Sequence, residues 1–385
     1  MRIGFDLRPF LREETGVGTY LRNLLFHLAK IDRTNEYFLF SSSWRDRFPA
    51  DKIPPFERLT FRERRLPVRV LNWLWQRRRL PTLDSFFRTK LDLTHSATPL
   101  DLPTKGKKVI TVHDVFFMDF PDQAGDEAGK VFFRLAAVSF RDADGIITPS
   151  HVTAIEIIAR FVLDEKKVKV IPHGLDSRFL EDVPVSELKA TRKRCNLPPS
   201  FLLFVGAQVP RKNLVRLVEA LKIVHLHGLK IALVLAGPPG EESAAIRTRA
   251  DSLGIGHWVM TTGYLEERDI RNIYRLATAF VFPSLCEGFG MPLVEAMASG
   301  IPVAASRVSA MPEVCRGAAA YFQPDSAESM AEKISSVIEN EDLRKKLIAR
   351  GKERARDFSW ERAAAETLAF YESVMQDDED RARWV

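Results

Sequence analysis

The sequence predicts two α/β domains, each built on a parallel sheet, because three observations agree. The chain has 385 residues, which is too long for one ordinary core and suits two. Continuous apolar runs, such as residues 201–205 and 279–282, favour strands buried on both faces. Glycine turns and then apolar residues at helical spacing follow several of these runs. Strand, turn and helix repeated in this way build doubly wound sheets.

The clearest of these units spans residues 279–300. An apolar strand over residues 279–282 leads into a turn in which Gly288 and Gly290 let main-chain N–H groups face a ligand. Pro292 fits the first position of a helix, and Gly300 ends that helix. Free N–H groups at a helix start, together with the helix dipole, favour a phosphate. The unit therefore predicts an anion site.

Two carboxylates, Glu287 and Glu295, bracket this turn with seven residues between them. Carboxylates repel phosphate but suit hydroxyls, as in dinucleotide folds where an acidic residue holds a ribose. A phosphate on main-chain amides with hydroxyl groups on both sides indicates a sugar nucleotide. From the residues alone, a plain glycine turn with two solvated glutamates remains the alternative.

The segment from Glu287 to Glu295, which runs on through residues 300–303, resembles the signature of retaining glycosyltransferases of the GT-B fold, family GT4. The resemblance covers nearly the whole chain. It implies two Rossmann-like domains with parallel sheets facing each other across a cleft, and a C-terminal helix that crosses back to the first domain. It also implies a catalytic Glu287 and a donor-binding segment that consists of Gly288, Phe289, Gly290, Met291 and Glu295.

Composition indicates a globular, cytoplasmic protein. The chain is 45% hydrophobic and 28% charged, and its three cysteines are far apart and odd in number, which favours a reducing compartment without a disulfide framework. Asp6 and Arg8 interrupt the N-terminal apolar residues, so no signal peptide is expected. No apolar run approaches the roughly 20 residues that cross a bilayer.

The net charge of +6 is concentrated in one stretch. Residues 61–90 carry nine Lys or Arg against two acidic residues, a local net of +7. Arginines beside tryptophans suit the surface of an anionic membrane. Nucleic acid ranks lower because no recognised binding motif accompanies the stretch, and a solvated arginine face over core aromatics is the third reading. The expected surface consists of Trp73, Trp75, Arg77, Arg78 and Arg79.

Two features of the first half point to a ligand. Residues 15–20 form a predicted glycine turn before a helix, with Gly16 and Gly18 separated by Val17 where the family has an adjacent pair. In the family this loop closes over the donor phosphates or borders the acceptor. The strand over residues 109–112 ends in His113, at the edge of the sheet where ligands bind. The resemblance implies that His113 contacts the donor sugar beside the reacting carbon, whereas His173 is expected to be structural.

The second half begins after a polar segment, residues 177–199, that predicts the domain boundary and a helical linker. The expected domains are residues 1–176, 177–359 and a returning helix over 360–385. After the strand at 201–205, Arg211 and Lys212 suit a diphosphate, arginine as a fork and lysine as a point charge. In the family an arginine often follows the strand glycine directly, where this chain has Ala207, so Arg211 is expected to substitute. The turn at residues 236–240 is expected near the nucleotide base.

No Asp-x-Asp pair stands at a predicted strand end, so the sequence predicts a metal-independent enzyme with a nucleoside-diphosphate sugar as co-substrate. The resemblance implies retention of anomeric configuration and a glycan or lipid-linked acceptor at the cytoplasmic membrane face. GDP-mannose is the favoured donor, because the motif at residues 15–20 and the one at 210–213 resemble mannosyl-type members. A sugar-nucleotide epimerase on the same scaffold and a non-catalytic, membrane-associated binding protein are the competing hypotheses.

Overall fold

The computed structural model describes residues 1–11, 16–116 and 126–382, without the side chains of residues 126–131 and 377–382. The fold divides into two compact units. Unit 1 comprises Met1–Gly174 with Trp360–Val385, and unit 2 comprises Leu175–Ser359. The first boundary therefore follows residue 174, whereas the sequence predicted it after residue 176. The return of the chain to unit 1 begins at Trp360, where the sequence placed it.

Unit 1 contains a seven-stranded, fully parallel sheet with the strand order β3-β2-β1-β4-β5-β6-β7. Its strands are β1 (Arg2–Asp6), β2 (Glu36–Ser42), β3 (Leu59–Arg64), β4 (Leu93–Ser96), β5 (Lys107–Thr111), β6 (Gly145–Thr148) and β7 (Val168–Val170). Its helices are α1 (Gly16–Ile31), α2 (Val68–Arg78), α3 (Leu83–Phe87), α4 (Asp126–Asp142), α5 (His151–Phe161) and the C-terminal helix.

Unit 2 contains a six-stranded, fully parallel sheet with the order β10-β9-β8-β11-β12-β13. Its strands are β8 (Phe201–Val205), β9 (Ala232–Ala236), β10 (Val259–Gly263), β11 (Ala279–Phe282), β12 (Val303–Ser306) and β13 (Ala319–Phe322). Its helices are α6 (Val185–Arg194), α7 (Leu214–Leu226), α8 (Ser243–Ser252), α9 (Glu267–Leu276), α10 (Met291–Ala298), α11 (Met311–Cys315), α12 (Ala327–Glu339) and α13 (Glu341–Ala355). The C-terminal helix, which belongs to unit 1, is α14 (Trp360–Ala382).

The apolar pattern of the sequence explains which faces are buried. In α1 the leucines at helical spacing, Leu21, Leu24, Leu25 and Leu28, are fully buried, as their periodicity predicts. Strands β8 and β11 are buried on both faces, as continuous apolar runs predict. Helix α14 packs against α1, so the last helix belongs to the core of unit 1.

Both sheets reverse their strand order at one place. The reversal lies between β1 and β4 in unit 1 and between β8 and β11 in unit 2. In open α/β sheets, ligands bind outside the carboxyl ends of the strands at such a reversal. The segments that follow these four strands are therefore where each unit is expected to carry its site.

The polar segment over residues 177–199 belongs to unit 2, within the expected second domain, and contains the helix α6. Its helix α6 packs against α9, where the Thr191 hydroxyl donates to Asp269 at 3.1 Å. The Arg194 guanidinium also pairs with the Asp269 carboxylate. These polar contacts, rather than apolar burial, hold the helix, which is why its composition resembles that of a linker.

The basic stretch folds into the edge strand β3 and helices α2 and α3; of its five expected surface residues, Trp75 is buried and Arg79 is held in an ion pair. Trp75 is only 6% exposed, and its indole N–H donates to the Pro81 carbonyl at 2.8 Å. Arg79 is paired with the buried carboxylate of Asp101, with Nη1 and Oδ1 2.7 Å apart. Trp73 is 53% exposed, and Arg77 and Arg78 are exposed. None of the helices in the described ranges has the length and apolar character that crossing a bilayer requires.

Candidate active site

The site in unit 2 is built on the turn between β11 and α10. Strand β11 is fully buried, and α10 begins at Met291 with Pro292 in its first turn. Gly290 has φ +88°, and a Cβ at this position would lie 2.9 Å from Leu293 Cδ1. Because both the backbone conformation and the close contact require glycine, the predicted strand, glycine turn and helix are confirmed here.

Glu287 lies in this turn and pairs with both cations that follow β8. The Lys212 ammonium donates to Oε1 of Glu287, and Arg211 Nη1 lies 3.0 Å from Oε2. Glu287 is 6% exposed and Lys212 is 7% exposed. Burial alone raises the pKa of Glu287, but the charges of Lys212 and Arg211 outweigh it and lower the pKa to about 2. Glu287 is therefore ionised at neutral pH, and the cluster of three side chains carries a net charge of +1.

Main-chain contacts hold the two loops of this cluster together. The Arg211 carbonyl accepts from the Leu285 N–H at 2.8 Å. The Asn213 side-chain amide donates to the carbonyls of Pro283, at 3.2 Å, and Pro324, at 2.7 Å. The Lys212 ammonium also lies over the Phe282 ring, 5.0 Å from its centroid. The loops after β8 and β11 are thus fixed before any ligand binds.

The turn around Glu287 is anchored from two further sides. The Ser309 hydroxyl donates to the Glu287 carbonyl at 2.7 Å, and that carbonyl also accepts from the Ala310 N–H at 3.2 Å. The Phe289 side chain is buried and packs edge-on against Phe358, with ring centroids 5.3 Å apart. Of the residues expected to bind the donor, Phe289 can therefore contribute only through its main chain.

Glu295, the second acid of the motif, has a different environment on α10. Its Oε2 accepts from the hydroxyl of the fully buried Tyr274 at 2.7 Å. Burial raises the pKa of Glu295 to about 7, with a further rise from Asp176, and the Tyr274 hydrogen bond opposes this only in part. Near neutral pH, Glu295 is divided between its protonated and ionised forms, whereas Glu287 is ionised.

Two glycines keep the ends of β8 and β9 free of side chains. Gly206 has φ +146° and Gly237 has φ +143°, and a Cβ on Gly237 would lie 2.2 Å from the Gly206 carbonyl oxygen. The Gly237 N–H donates to the Gly263 carbonyl at 3.0 Å. Only glycine permits this approach, so the edge of the sheet beside the cluster consists of main chain.

In unit 1, His113 follows β5 and uses both ring nitrogens. Its Nε2 lies 3.0 Å from the Ala97 carbonyl oxygen, and its Nδ1 lies 3.1 Å from Nε2 of His173. Because a carbonyl can only accept, Nε2 of His113 carries the proton and Nδ1 accepts from His173. Burial lowers the pKa of both histidines, so both rings are neutral at pH 7. The Ala97 carbonyl therefore selects the tautomer of His113, and the N–H of His173 supports that tautomer and the orientation of the ring.

A buried hydrogen-bond network lies behind these histidines. The Tyr20 ring is 4.8 Å from both His113 and His173, and its hydroxyl is 3.0 Å from Thr111 Oγ1. Thr111 Oγ1 is 2.7 Å from His95 Nε2, and His95 Nδ1 is 2.6 Å from the Tyr371 hydroxyl. His95 was not predicted as a site residue, because the short strand that carries it, β4, lacks a continuous apolar run.

Gly16 and Gly18 lie in the first turn of α1 and not in a turn that precedes it. A Cβ on Gly18 would lie 2.7 Å from the Pro9 carbonyl oxygen, so glycine allows α1 to pack against the segment after β1. The predicted glycine turn is therefore wrong for residues 16–18. Residues 12–15, which include the start of that motif, lie outside the described residues.

The two units offer different chemistry at equivalent edges. Unit 2 presents a buried cluster with a net positive charge at a helix start, which suits an anionic diphosphate. Unit 1 presents a neutral imidazole held in one tautomer. Within the part of the chain that the structure describes, no group of three or more His, Cys, Asp or Glu side chains has the arrangement of a metal site.

Two family models match adjacent parts of the chain. The model described as Glycosyltransferase Family 4 matches residues 15–179, and the model described as Glycosyl transferases group 1 matches residues 187–354. The first covers most of the sequence of unit 1, and the second covers most of unit 2 and contains the Glu287–Glu295 motif.

Curated relatives and solved structures agree with these matches. The O-antigen chain mannosyltransferase B of Escherichia coli is 26% identical over 382 residues, which cover 96% of this chain and 99% of the relative. Sucrose-phosphate synthase of Thermosynechococcus elongatus has a TM-score of 0.75 at 20% identity, with 98% of this chain and 99% of that chain covered. Anabaena HepE, solved with UDP and glucose, also has a TM-score of 0.75, at 17% identity, with 97% and 100% covered. The chain belongs to glycosyltransferase family 4 and has the GT-B fold with two Rossmann-like domains.

Proposed function

We propose that this glycosyltransferase moves mannose from a nucleoside-diphosphate donor, with GDP-mannose favoured, to a hydroxyl of a glycan or lipid-linked acceptor. The observation that carries the proposal is the cluster of Lys212, Arg211 and Glu287 beside the start of α10. Its net positive charge suits a diphosphate. The choice of mannose rests on the mannosyl-type motifs and on the printed activity of the Escherichia coli relative.

In this proposal the donor lies along the carboxyl edge of the unit 2 sheet. Lys212 and Arg211 hold the diphosphate, together with main-chain N–H groups of Gly288, Gly290 and Met291. Glu295 accepts from ribose hydroxyls, and Glu287 accepts from a hydroxyl of the transferred sugar. The low pKa of Glu287 supports its role, because a carboxylate that stays ionised can only accept.

Transfer breaks the bond between the anomeric carbon and the phosphate oxygen and forms a bond to the acceptor oxygen. Charge develops on the departing phosphate, so Lys212, Arg211 and the dipole of α10 stabilise the transition state most where that charge appears. The departing phosphate oxygen takes the proton of the acceptor hydroxyl, and the configuration is retained. Neutral His113 contacts the transferred sugar without adding positive charge beside the oxocarbenium-like carbon. No metal ion is required, because the two cations neutralise the leaving group.

We further propose that the enzyme works at the cytoplasmic face of a membrane. Trp73, Arg77 and Arg78 are exposed on α2, where an aromatic residue beside two cations suits anionic lipid. No nucleic-acid partner is proposed, because the chemistry of both sites suits sugars and phosphates.

A donor screen tests this proposal. GDP-mannose, UDP-glucose and UDP-N-acetylglucosamine are each incubated with the enzyme and a mannobioside acceptor, with and without EDTA. We expect free GDP and an extended glycan from GDP-mannose only, at the same rate with chelator. Turnover of a different donor contradicts the assignment of mannose, and loss of activity in EDTA contradicts metal independence. Isomerised donor without released diphosphate indicates an epimerase.

A further inference from the structure

Two cavities lie in the part of unit 1 that the structure describes. One lies at the strand-order reversal, and the other lies beside it. The first, of about 480 Å³, is lined by residues that include Asp6, Arg8, Ala97 and Trp75. Its Ala97 is the residue whose carbonyl holds His113. The second, of about 800 Å³, lies over the segments that follow β1, β2 and β3. Both volumes fall in the range of small-molecule sites.

The second cavity, here called the arginine groove, has three arginines among its described lining residues. It is lined by Arg8, Pro9, Leu11, Ser43, Trp44, Arg45, Pro67, Val68 and Arg69. Arg8 is neutralised by Asp6, with Nη2 and Oδ2 2.6 Å apart. The guanidinium groups of Arg45 and Arg69 have no hydrogen-bond or ion-pair partner among the described residues. No described lining residue is acidic, and the nearest acid in sequence, Asp46, accepts from the Ser43 hydroxyl at 3.0 Å.

Trp44 adds an apolar platform to this charge. Its side chain is 67% exposed, so the face of the ring is accessible to a ligand. A flat ring of this kind offers contact area to the C–H face of a sugar at a small entropic cost, because tryptophan has only two side-chain torsions. Arginine forks recognise phosphate with two parallel hydrogen bonds. An exposed indole that lines the same groove as the guanidinium groups of Arg45 and Arg69 therefore suits a sugar that bears a phosphate.

The two cavities are adjacent, because Arg8, Pro9 and Val68 line both of them. A ligand whose reacting sugar lies beside His113 can therefore extend past Arg8 into the arginine groove. We infer that the arginine groove binds the phosphate-bearing part of the acceptor, with Arg45 and Arg69 on the phosphate and Trp44 on the adjoining sugar. This inference deepens the proposed function and rests on it for the identity of the acceptor as a glycan.

Binding is tested first, without any transfer. Mannose 1-phosphate and methyl α-mannoside are titrated into the protein with GDP present to occupy the donor site. We expect mannose 1-phosphate to bind about tenfold more tightly than methyl α-mannoside, because one charge-assisted contact contributes about that much. This preference should decrease as the salt concentration is raised. Arg45→Ala/Arg69→Ala should abolish the preference, and Trp44→Ala should weaken both ligands. The matched control is Arg62→Ala/Lys105→Ala, which removes the same charge from exposed positions outside the groove.

Transfer kinetics then identify the source of the phosphate. Three acceptors with the same terminal sugar are compared: methyl mannobioside, mannobiose 1-phosphate and its diester with a short prenol. A preference for the monoester indicates a free sugar phosphate, and a preference for the diester indicates a lipid-linked glycan. Donor hydrolysis without acceptor should be unchanged in Arg45→Ala/Arg69→Ala, so failure of the groove is distinguishable from failure of the proposed transferase activity.

Two results overturn the inference. In the first, wild-type protein binds mannose 1-phosphate and methyl α-mannoside equally, or the arginine variant keeps the preference of the wild type. In the second, the variant loses only its binding to vesicles that contain phosphatidylglycerol. That result assigns Arg45 and Arg69 to a membrane surface.

Discussion

The two units share a strand order but differ in the charge that they place at its reversal. In unit 2 the buried Lys212 and the partly buried Arg211 pair with an ionised carboxylate, and the pKa of Glu287 falls to about 2. In unit 1 two histidines are buried together, and burial keeps both neutral. Burial costs an ion far more than a neutral ring, so unit 2 retains its charge only because the partners are adjacent. One topology therefore supports an ionic site in unit 2 and a neutral site in unit 1, which we propose bind a diphosphate and a sugar.

Lys212→Ala should have the largest effect, because it breaks the ionic side of this comparison. Loss of a charge-assisted contact to the donor diphosphate costs up to about 3 kcal/mol, or about 100-fold in kcat/KM. Loss of one partner of a buried pair also destabilises the protein by about 3 kcal/mol. Donor kinetics and urea denaturation measure the two effects, with the exposed Lys346→Ala as control.

A double substitution separates the two roles of Lys212. Lys212→Met/Glu287→Gln removes both charges, so we expect it to recover much of the lost stability but none of the lost activity. If Lys212→Ala keeps kcat/KM within about threefold of wild type, the assignment of this cluster to the diphosphate is incorrect.

His173→Phe tests the neutral side of the comparison. Phenylalanine can keep the stacking on Trp360 but removes the N–H that donates to Nδ1 of His113. We expect kcat to fall about tenfold, as loss of one neutral hydrogen bond permits, with little change in KM for the donor. His173→Gln should restore part of kcat, because its amide can donate from a similar position.

The control for this substitution is the exposed His227→Phe in unit 2. Nitrogen chemical shifts of His113 should move toward a mixture of tautomers in His173→Phe and not in the control. A fall in kcat without a tautomer change contradicts the positioning role of His173.

Glu295→Gln sharpens the contrast within unit 2 through pH. Because the folded pKa of Glu295 is raised, its stabilising contribution is complete below its unfolded value of 4.5 and is lost as pH rises toward about 7. Glu287 behaves oppositely: its contribution is complete above 4.5 and is lost as pH falls toward about 2. Glutamine does not titrate, so the variant should lose the decline in stability between pH 4.5 and 7.

Donor binding should show the same ionisation of Glu295. An ionised Glu295 accepts more strongly from a ribose hydroxyl, so the affinity of the wild-type protein for the donor should rise from pH 6 to pH 8. Glu295→Gln should remove this pH dependence and weaken donor binding about tenfold at pH 8. Tyr274 and Asp176, which shift the pKa of Glu295, stay unchanged in this variant. Parallel profiles for the two proteins would exclude Glu295 as the titrating group.

The sequence predicted those features of the fold that depend on residues close together in the chain. The buried strand, the glycine turn and the helix around Gly290 follow from neighbouring residues, and so do the leucines of α1. The pairing of Lys212 with Glu287 joins residues 75 positions apart, and no sequence pattern contains that distance. Both residues are therefore predicted from the sequence as site residues, but their pairing with each other is not.

The basic stretch shows a second limit. Strand β3 lies at the edge of its sheet, where Arg62 and Arg64 can point to solvent, so its sequence lacks the apolar run of an inner strand. Trp75 and Arg79 were grouped with their exposed neighbours by composition alone. Arg79 takes a left-handed conformation with φ +56° after the end of α2, and its side chain pairs with Asp101. The direction of the Arg79 side chain therefore depends on a contact with a residue distant in the sequence, which the local sequence does not predict.

Arg77→Gln should have the smallest effect, and it tests the exposed part of the expected membrane surface, which does not include the buried Trp75. One arginine near an anionic bilayer contributes about 1 kcal/mol, so partition onto phosphatidylglycerol vesicles should weaken about fivefold. Turnover of a water-soluble acceptor should stay the same, because Arg77 is exposed on α2 and lines neither cavity. Lys193→Gln removes an exposed charge from unit 2 and serves as the control. If both variants partition like wild type, the exposed arginines of α2 form a solvated face over an aromatic core, and the acceptor reaches unit 1 without contact between α2 and lipid.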